Sequence, residues 1–202
     1  MSNPTIIKDE YNITGYFYRN DNKICRKVLH IHKSINIKNP DLLVIMMNPG
    51  SSRPSDLKKF TEIGDHHVNQ LIKTTPDTTQ KKVILFMESK QLQHAVVLNL
   101  IDICNPKSTT LVSKNIAFSN FNSIDKAEDF IKEHASSAQT VLLAWGCKKI
   151  FKKQITTVLE VLKTKNKTIY GYSNTTTSDR IYFYHPLKRG EKWLDKVEKI
   201  QL

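Results

Sequence analysis

LLVIMMNPGSSRP, residues 42–54, is the stretch of sequence that decides the predicted fold. Its first six residues are apolar without interruption, and they stop at the turn residues Asn48-Pro49-Gly50. A short apolar run bounded by turn residues predicts a strand that is buried on both faces, as in a parallel sheet covered by helices. Polar residues just past the carboxyl end of such a strand lie where α/β folds bind their ligands. Asn48 is therefore the first candidate for chemistry.

Apolar runs that predict strands alternate with helical patterns along the rest of the chain. The further predicted strands are 95–102, 139–145, 168–172 and 181–184. Amphipathic helices are predicted between them, with a last helix at 191–201. Two β-rich segments, 11–18 and 24–32, flank a polar turn and predict a hairpin. The chain is thus predicted to form one domain, 1–202, with a three-layer α/β/α fold, a mainly parallel central sheet of about four strands, and an N-terminal β-hairpin extension within residues 1–40.

The composition favours a basic globular protein with a polyanionic partner. The 202 residues include 31 Lys and Arg against 19 Asp and Glu, which gives a formal net charge of +12. Such a balance suggests nucleic acid as the partner, although a solvated lysine-rich surface gives the same count. No apolar run reaches the ~18 residues of a membrane span, and residues 1–11 lack the apolar core of a signal peptide. We therefore expect a cytoplasmic protein with no membrane partner. Three scattered cysteines signal neither a zinc site nor a disulfide framework.

Three polar residues lie at the ends of predicted strands and are expected to meet in one pocket. Asn48 follows the first buried strand, Asn99 interrupts the second, and His185 follows the last. In a parallel sheet these ends share one edge. Two amides and an imidazole can read the edge of a heterocycle and stabilise negative charge on it. Asn99 can equally be a structural amide, and helix capping with Gln80 is enough to explain Asp77.

Lysines crowd the start of the helix predicted after Gly146. Lys148, Lys149, Lys152 and Lys153 lie in its first turns, where the helix dipole disfavours positive charge. Either an anion binds nearby, or these lysines form an ordinary solvated face.

The order of four motifs resembles the uracil-DNA glycosylase superfamily, in particular its mismatch-specific branch. The motifs are MMNPGSS (46–52), VVLNL (96–100), VLLAWG (141–146) and HPLKRG (185–190). The chain is also similar to a bacterial family of uncharacterised proteins whose D-x-T motif is matched by Asp77 and Thr79. The resemblance covers about residues 42–190 and leaves the N-terminal hairpin outside.

This resemblance implies hydrolysis of the N-glycosidic bond of uracil or a related damaged base in DNA, after the base leaves the duplex. Asn48 would hold the attacking water, and His185 would stabilise the charge on the departing base. An aspartate replaces Asn48 in the most active branch, which implies slower water activation here. The residues that would contact the base are Asn99, Met47 and Gly50. Those that would bind phosphates are Ser51, Ser52, Arg53, Lys148, Lys149, Lys188 and Arg189.

The resemblance further implies that Leu187 fills the vacated base stack, that no metal or organic cofactor is needed, and that the protein acts as a monomer. Two alternatives remain at this stage. One is a catalytically weak or inactive DNA-binding or lesion-recognition module of the same fold. The other is an ordinary hydrolase in which Ser51 or Ser52 is the nucleophile and His185 its base, although the G-x-S-x-G elbow is lacking.

Overall fold

The computed structural model describes residues 10–20, 23–33, 39–57, 71–106, 119–176, 180–188 and 192–202. Within these ranges the chain forms one eight-stranded sheet and three α-helices. The strands are β1 (Asn12–Asn20), β2 (Lys23–His32), β3 (Leu42–Met46), β4 (Ile72–Lys73), β5 (His94–Asn99), β6 (Thr140–Ala144), β7 (Thr168–Gly171) and β8 (Glu198–Ile200). The helices are α1 (Thr78–Ser89), α2 (Ile124–Ala135) and α3 (Lys152–Lys163).

The sheet is mixed and mostly antiparallel, so the prediction of a mainly parallel sheet of about four strands is wrong. The strand order is β4-β1-β2-β5-β3-β6-β7-β8. Among these described strands, four of the seven pairings are antiparallel and three, β5 with β3, β3 with β6 and β6 with β7, are parallel. The hairpin of β1 and β2 is present, but it is not a separate extension, because β2 pairs with β5 and continues the sheet.

Helices cover both faces of this sheet and bury its central strands completely. All residues of β3 and β5 are buried. On one face, Leu42 and Val44 of β3 pack in a cluster with Val83 and Met87 of α1. On the other face, residues of β3 pack in a second cluster with residues of α2 and α3, such as Ile131. Continuous apolar runs are required in β3 and β5 because neither face of these strands meets water.

The C-terminal part of the chain differs from the sequence prediction. In place of the strand expected at 181–184, Phe183 forms isolated bridges to Gly146 and Ser173. In place of the helix expected at 191–201, the described residues form a 3₁₀ turn, Trp193–Lys196, followed by β8. The helix expected from residue 111 lies outside the described residues. Among the helices that are described, none has the length and apolar character needed to cross a bilayer.

A β-bulge in β2 determines which of its side chains lie on the α1 side of the sheet. Tyr16 of β1 is opposite Val28, but the next residue, Phe17, is opposite Arg26, so Lys27 is the extra residue. Bulges of this kind re-aim side chains and increase the local twist of the strand. As a consequence, Arg26 and Leu29 line the same cavity although they are three residues apart in a strand.

Candidate functional site

A cavity of about 680 Å³ lies where β3 ends and α1 begins. Its apolar wall comes from the α1 side of the sheet and includes Leu29, Met46 and Val97. Its charged and catalytically capable side chains come from β2, the loop after β3, the start of α1, and the loops after β6 and Tyr184. These side chains include Arg26, Asn48, Asp77, Lys81, Lys148 and His185. The structure thus brings Asn48 and His185 into one cavity.

The segment after β3 presents Met47, Asn48 and Gly50 to the cavity. Asn48 donates hydrogen bonds from Nδ2 to the backbone carbonyls of Asn105, at 2.7 Å, and Ile103, at 3.5 Å. Because the amide nitrogen is held by these carbonyls, the amide oxygen Oδ1 is the atom that remains for a ligand or a water. Gly50 has a φ of +65°, which lets the loop turn sharply beside the cavity.

His185 lines the same cavity as a neutral imidazole. Its Nδ1 accepts a hydrogen bond from the backbone N–H of Leu187 at 3.3 Å. In the neutral ring the proton therefore resides on Nε2, which is a donor. Burial lowers the pKa of His185 to about 4, and the nearby Asp77 carboxylate opposes this shift only in part. Leu187 itself is 46% exposed and also lines the cavity.

Asn99 does not line the cavity, whereas Arg26, to which it is hydrogen-bonded, does. Asn99 is fully buried at the end of β5. Its Oδ1 accepts a hydrogen bond from Arg26 Nη2 at 3.0 Å, and its Nδ2 has no partner among the described residues. Arg26 is 2% exposed and does line the cavity. Sequence reasoning missed Arg26, since only the bulge in β2 turns it to this side.

Asp77 combines the expected cap with a position beside the cavity. Its Oδ1 accepts from the backbone N–H of Gln80, and the Gln80 side chain accepts from the backbone N–H of Asp77, so the predicted capping box is confirmed. The other carboxylate oxygen, Oδ2, lies 3.7 Å from the point that a Cβ on Gly50 would occupy. Capping therefore uses one oxygen, while the second lies next to the loop that carries Asn48. Thr79, the other member of the D-x-T pattern, lines the cavity as well.

The three residues that follow Gly50 have different environments. Ser51 is exposed and lines the cavity. Ser52 is fully buried, and its hydroxyl accepts a hydrogen bond from Gln80 Nε2 at 2.9 Å. The Arg53 guanidinium donates to the carbonyls of Gly50, Ser52 and Cys104. Ser52 and Arg53 thus fix the loop from within, and Ser51 is the member of the trio that faces the cavity.

The basic residues predicted to bind phosphates are spread over the surface. Lys148 lines the cavity, whereas Lys149 is exposed at the start of a 3₁₀ turn and does not. Lys188 lies over the Tyr184 ring, 3.6 Å from its centroid, and lines a second cavity of about 440 Å³. Arg189 lies outside the described residues. Of those cations that the structure describes, Lys148 is the one that lines the cavity with Asn48 and His185.

In the described part of the chain, the cysteines form no disulfide and the potential metal ligands form no metal site. Cys25, Cys104 and Cys147 are free thiols, and burial raises the pKa of the first two to about 12 and about 11. Within the ranges that the structure describes, no group of three or more His, Cys, Asp and Glu side chains is placed to hold a metal ion.

Comparison with known protein families gave a match. Residues 69–187 match the model of a family described as "Protein of unknown function (DUF1643)", a range that includes Asp77, Asn99 and His185 and begins after Asn48. We found no significant match among curated proteins or among solved structures. Because the matched range covers more than half of the 202 residues, the chain belongs to the DUF1643 family.

Proposed function

We propose that the protein is a DNA N-glycosylase that hydrolyses the N-glycosidic bond of uracil or a related damaged base. The observation that carries this proposal is the single cavity in which Asn48, Asp77 and His185 lie together. An amide oxygen can orient a water, a carboxylate can take its proton, and a neutral imidazole can donate a hydrogen bond to the departing base. The resemblance of the surrounding motifs to uracil-DNA glycosylases supports the same reaction.

Asn48 and Asp77 act on the attacking water. Asn48 Oδ1 accepts a hydrogen bond from the water and orients it, but a neutral amide is a poor general base. The Asp77 carboxylate takes the proton as the water oxygen bonds to the sugar C1′. This assignment gives the cavity the carboxylate that the sequence around Asn48 lacks. It also gives Asp77 a role beyond the cap of α1.

His185 acts on the departing base. When the bond from C1′ to the base nitrogen breaks, the bonding electrons remain on the base and charge develops on its oxygen. A neutral imidazole with its proton on Nε2 can donate a hydrogen bond to that oxygen, and such donors act most strongly in the transition state. The lowered pKa keeps the ring neutral near pH 7, so no proton has to leave it beforehand.

The edge of the cavity supplies contacts to DNA in this proposal. Leu187 is exposed beside His185 and would enter the stack that the base vacates. Ser51 and Lys148 would bind flanking phosphates. The protein would act as a monomer on DNA in the cytoplasm, a reducing compartment that suits three free thiols.

A DNA-binding or lesion-recognition module without catalysis is the second candidate. The observation that favours it is the capping box, because capping accounts for Asp77 without any catalytic role. Such a module would keep the cavity and the basic surface, and it would bind DNA without releasing a base.

The two candidates are separated by assaying base release and DNA binding on the same protein. Single- and double-stranded DNA containing uracil would be incubated with the protein and tested for alkali-labile sites. We expect Asn48→Ala and His185→Ala to lower the rate of base release by about 10²- to 10³-fold with DNA affinity nearly unchanged. Lys163→Ala, on the exposed last turn of α3, is the matched control. Wild-type protein that binds DNA yet releases no base from uracil, hypoxanthine or mismatched substrates would establish the binding module instead.

A further inference from the structure

Arg26 is a buried cation whose hydrogen-bonding capacity is mostly unused. Its Nη2 donates to Asn99, but Nε and Nη1 have no partner among the described residues although the side chain is only 2% exposed. A buried charge that lacks hydrogen bonds is expensive to maintain, and such unsatisfied groups in native proteins call for an explanation. Because Arg26 also lines the cavity, the missing partner can be a ligand.

Two features hold the Arg26 side chain in place. The bulge in β2 turns it toward the cavity, and Asn99 Oδ1 fixes one end of the guanidinium. A donor group held in this way before the ligand arrives loses little freedom on binding.

The carboxylates around Arg26 do not satisfy it. Asp77 and Asp102 attract the guanidinium through space. In the described part of the chain, Asp102 instead accepts hydrogen bonds from Tyr18 and Asn120, and Asp77 caps α1. The remaining donors of Arg26 are thus left for a group that enters the cavity.

The chemistry of a guanidinium decides what this group is. It has five N–H donors and no acceptor, so it can bind only atoms that accept hydrogen bonds. Resting on the function proposed above, we infer that Arg26 reads the extruded base and selects oxo bases, such as uracil and hypoxanthine, over amino bases, such as cytosine and adenine. An amino group facing Arg26 would set donor against donor and leave both unpaired. An unpaired buried group disfavours such a ligand by about 10- to 100-fold. Asn99 then acts as a positioning residue that holds Arg26.

The test measures base release and base binding separately. Base release is compared for DNA containing uracil, cytosine, hypoxanthine or adenine at one site, and binding of free uracil and free cytosine is measured by calorimetry. We expect wild-type protein to prefer the oxo base in both assays. Arg26→Gln supplies an acceptor as well as donors, so it should reduce the preference for uracil over cytosine by about 10- to 100-fold. Lys132→Gln, on an exposed site of α2, removes the same charge and should leave the preference unchanged.

The outcomes separate this inference from the proposed function. Equal release of uracil and cytosine would overturn the inference and leave the glycosylase, as would an Arg26→Gln protein that keeps the full preference. If no base is released but free uracil binds in an Arg26-dependent way, the proposed glycosylase activity is wrong, and the inference that Arg26 selects oxo bases is supported. If Arg26→Gln does not fold, the wild-type protein decides the question, and equal binding of free uracil and free cytosine overturns the inference.

Discussion

Arg26 Nη2 donates a hydrogen bond to Asn99 Oδ1 over 3.0 Å and joins two residues that are 73 positions apart in the chain. Both side chains are buried, and Arg26 is the member of the pair that lines the cavity. Asn99, the amide that the sequence predicts to contact a base, is therefore hydrogen-bonded to the guanidinium that lines the cavity. A change at either residue should affect both the stability of the fold and the shape of the cavity.

Replacing Asn99 with leucine should destabilise the protein by about 1.5–3 kcal/mol, because a hydrogen bond to a buried charged group is lost. Asn99→Asp is the matched comparison, since its carboxylate can still accept from Arg26 Nη2. The free energy of unfolding would be measured for both variants by urea denaturation. Asn99→Leu protein with the stability of the wild type would show that the contact between Asn99 and Arg26 contributes nothing.

The central strands could be predicted from the sequence because their signal is unambiguous. The apolar run 42–47 predicts a strand and Leu42–Met46 form β3, since a continuous apolar run suits a strand covered on both faces. Such a run does not indicate which strands will be its neighbours or whether they pair with it in a parallel or an antiparallel direction. The antiparallel pairing of β2 with β5 and the addition of β4 and β8 at the edges depend on tertiary contacts.

The candidate site was predictable only in part for the same reason. Asn48 and His185 could be placed near each other because turn residues follow their predicted strands. Arg26 could not, because a bulge changes which face a strand residue occupies and leaves no mark in the alternation of ICRKVLHIH. The error at the C-terminus is similar: Trp193, Val197 and Ile200 fit a helical spacing, but pairing with β7 makes 198–200 a strand.

Gly50→Ala should destabilise the protein by about 1–2 kcal/mol through backbone strain, because Gly50 has a φ of +65°. A steric clash does not contribute, since the added Cβ would lie 3.7 Å from Asp77 Oδ2, an ordinary contact. Asn tolerates this backbone conformation better, so Gly50→Asn should cost less. Urea denaturation of the two variants gives the comparison. Equal losses in both would mean that the positive φ is not the cause.

Stability should fall as the pH is lowered from about 6.5 toward 4, with a contribution from His30. Burial and the neighbouring His94, His134 and His32 lower the pKa of His30 from 6.5 to about 4. Between these values the unfolded chain binds more protons than the folded protein, so acid favours unfolding. The lowered pKa of His185 likewise makes the folded protein less stable as the pH falls.

The titration of Asp102 changes the stability with pH in the direction opposite to that of His30. Burial raises the pKa of Asp102 from 3.8 to about 7, so between these pH values the folded protein binds a proton that the unfolded chain has released. The stability that Asp102 contributes is therefore lost as the pH rises from 3.8 to 7. Comparing the wild type with His30→Gln cancels the contributions of Asp102 and of the other titrating groups that both proteins share. The variant should lose less stability between pH 6.5 and 4 in urea titrations. Parallel curves for the two proteins would contradict the assignment.

DNA affinity should depend steeply on salt, and Lys148 and Lys149 test where the DNA lies. A log–log plot of the binding constant against salt should have a slope of roughly −0.7 to −0.9 per phosphate contacted. Lys148 lines the cavity and Lys149 is exposed beside it in the chain, so Lys148→Ala and Lys149→Ala should each weaken binding and make the slope shallower by about one such unit. Lys132→Ala on α2 removes the same charge at a distant exposed site, and its slope should equal that of the wild type.

If all three variants changed the slope equally, the basic surface would act as a diffuse solvated face. An affinity that stays flat between low and moderate salt would exclude an electrostatic DNA interface altogether.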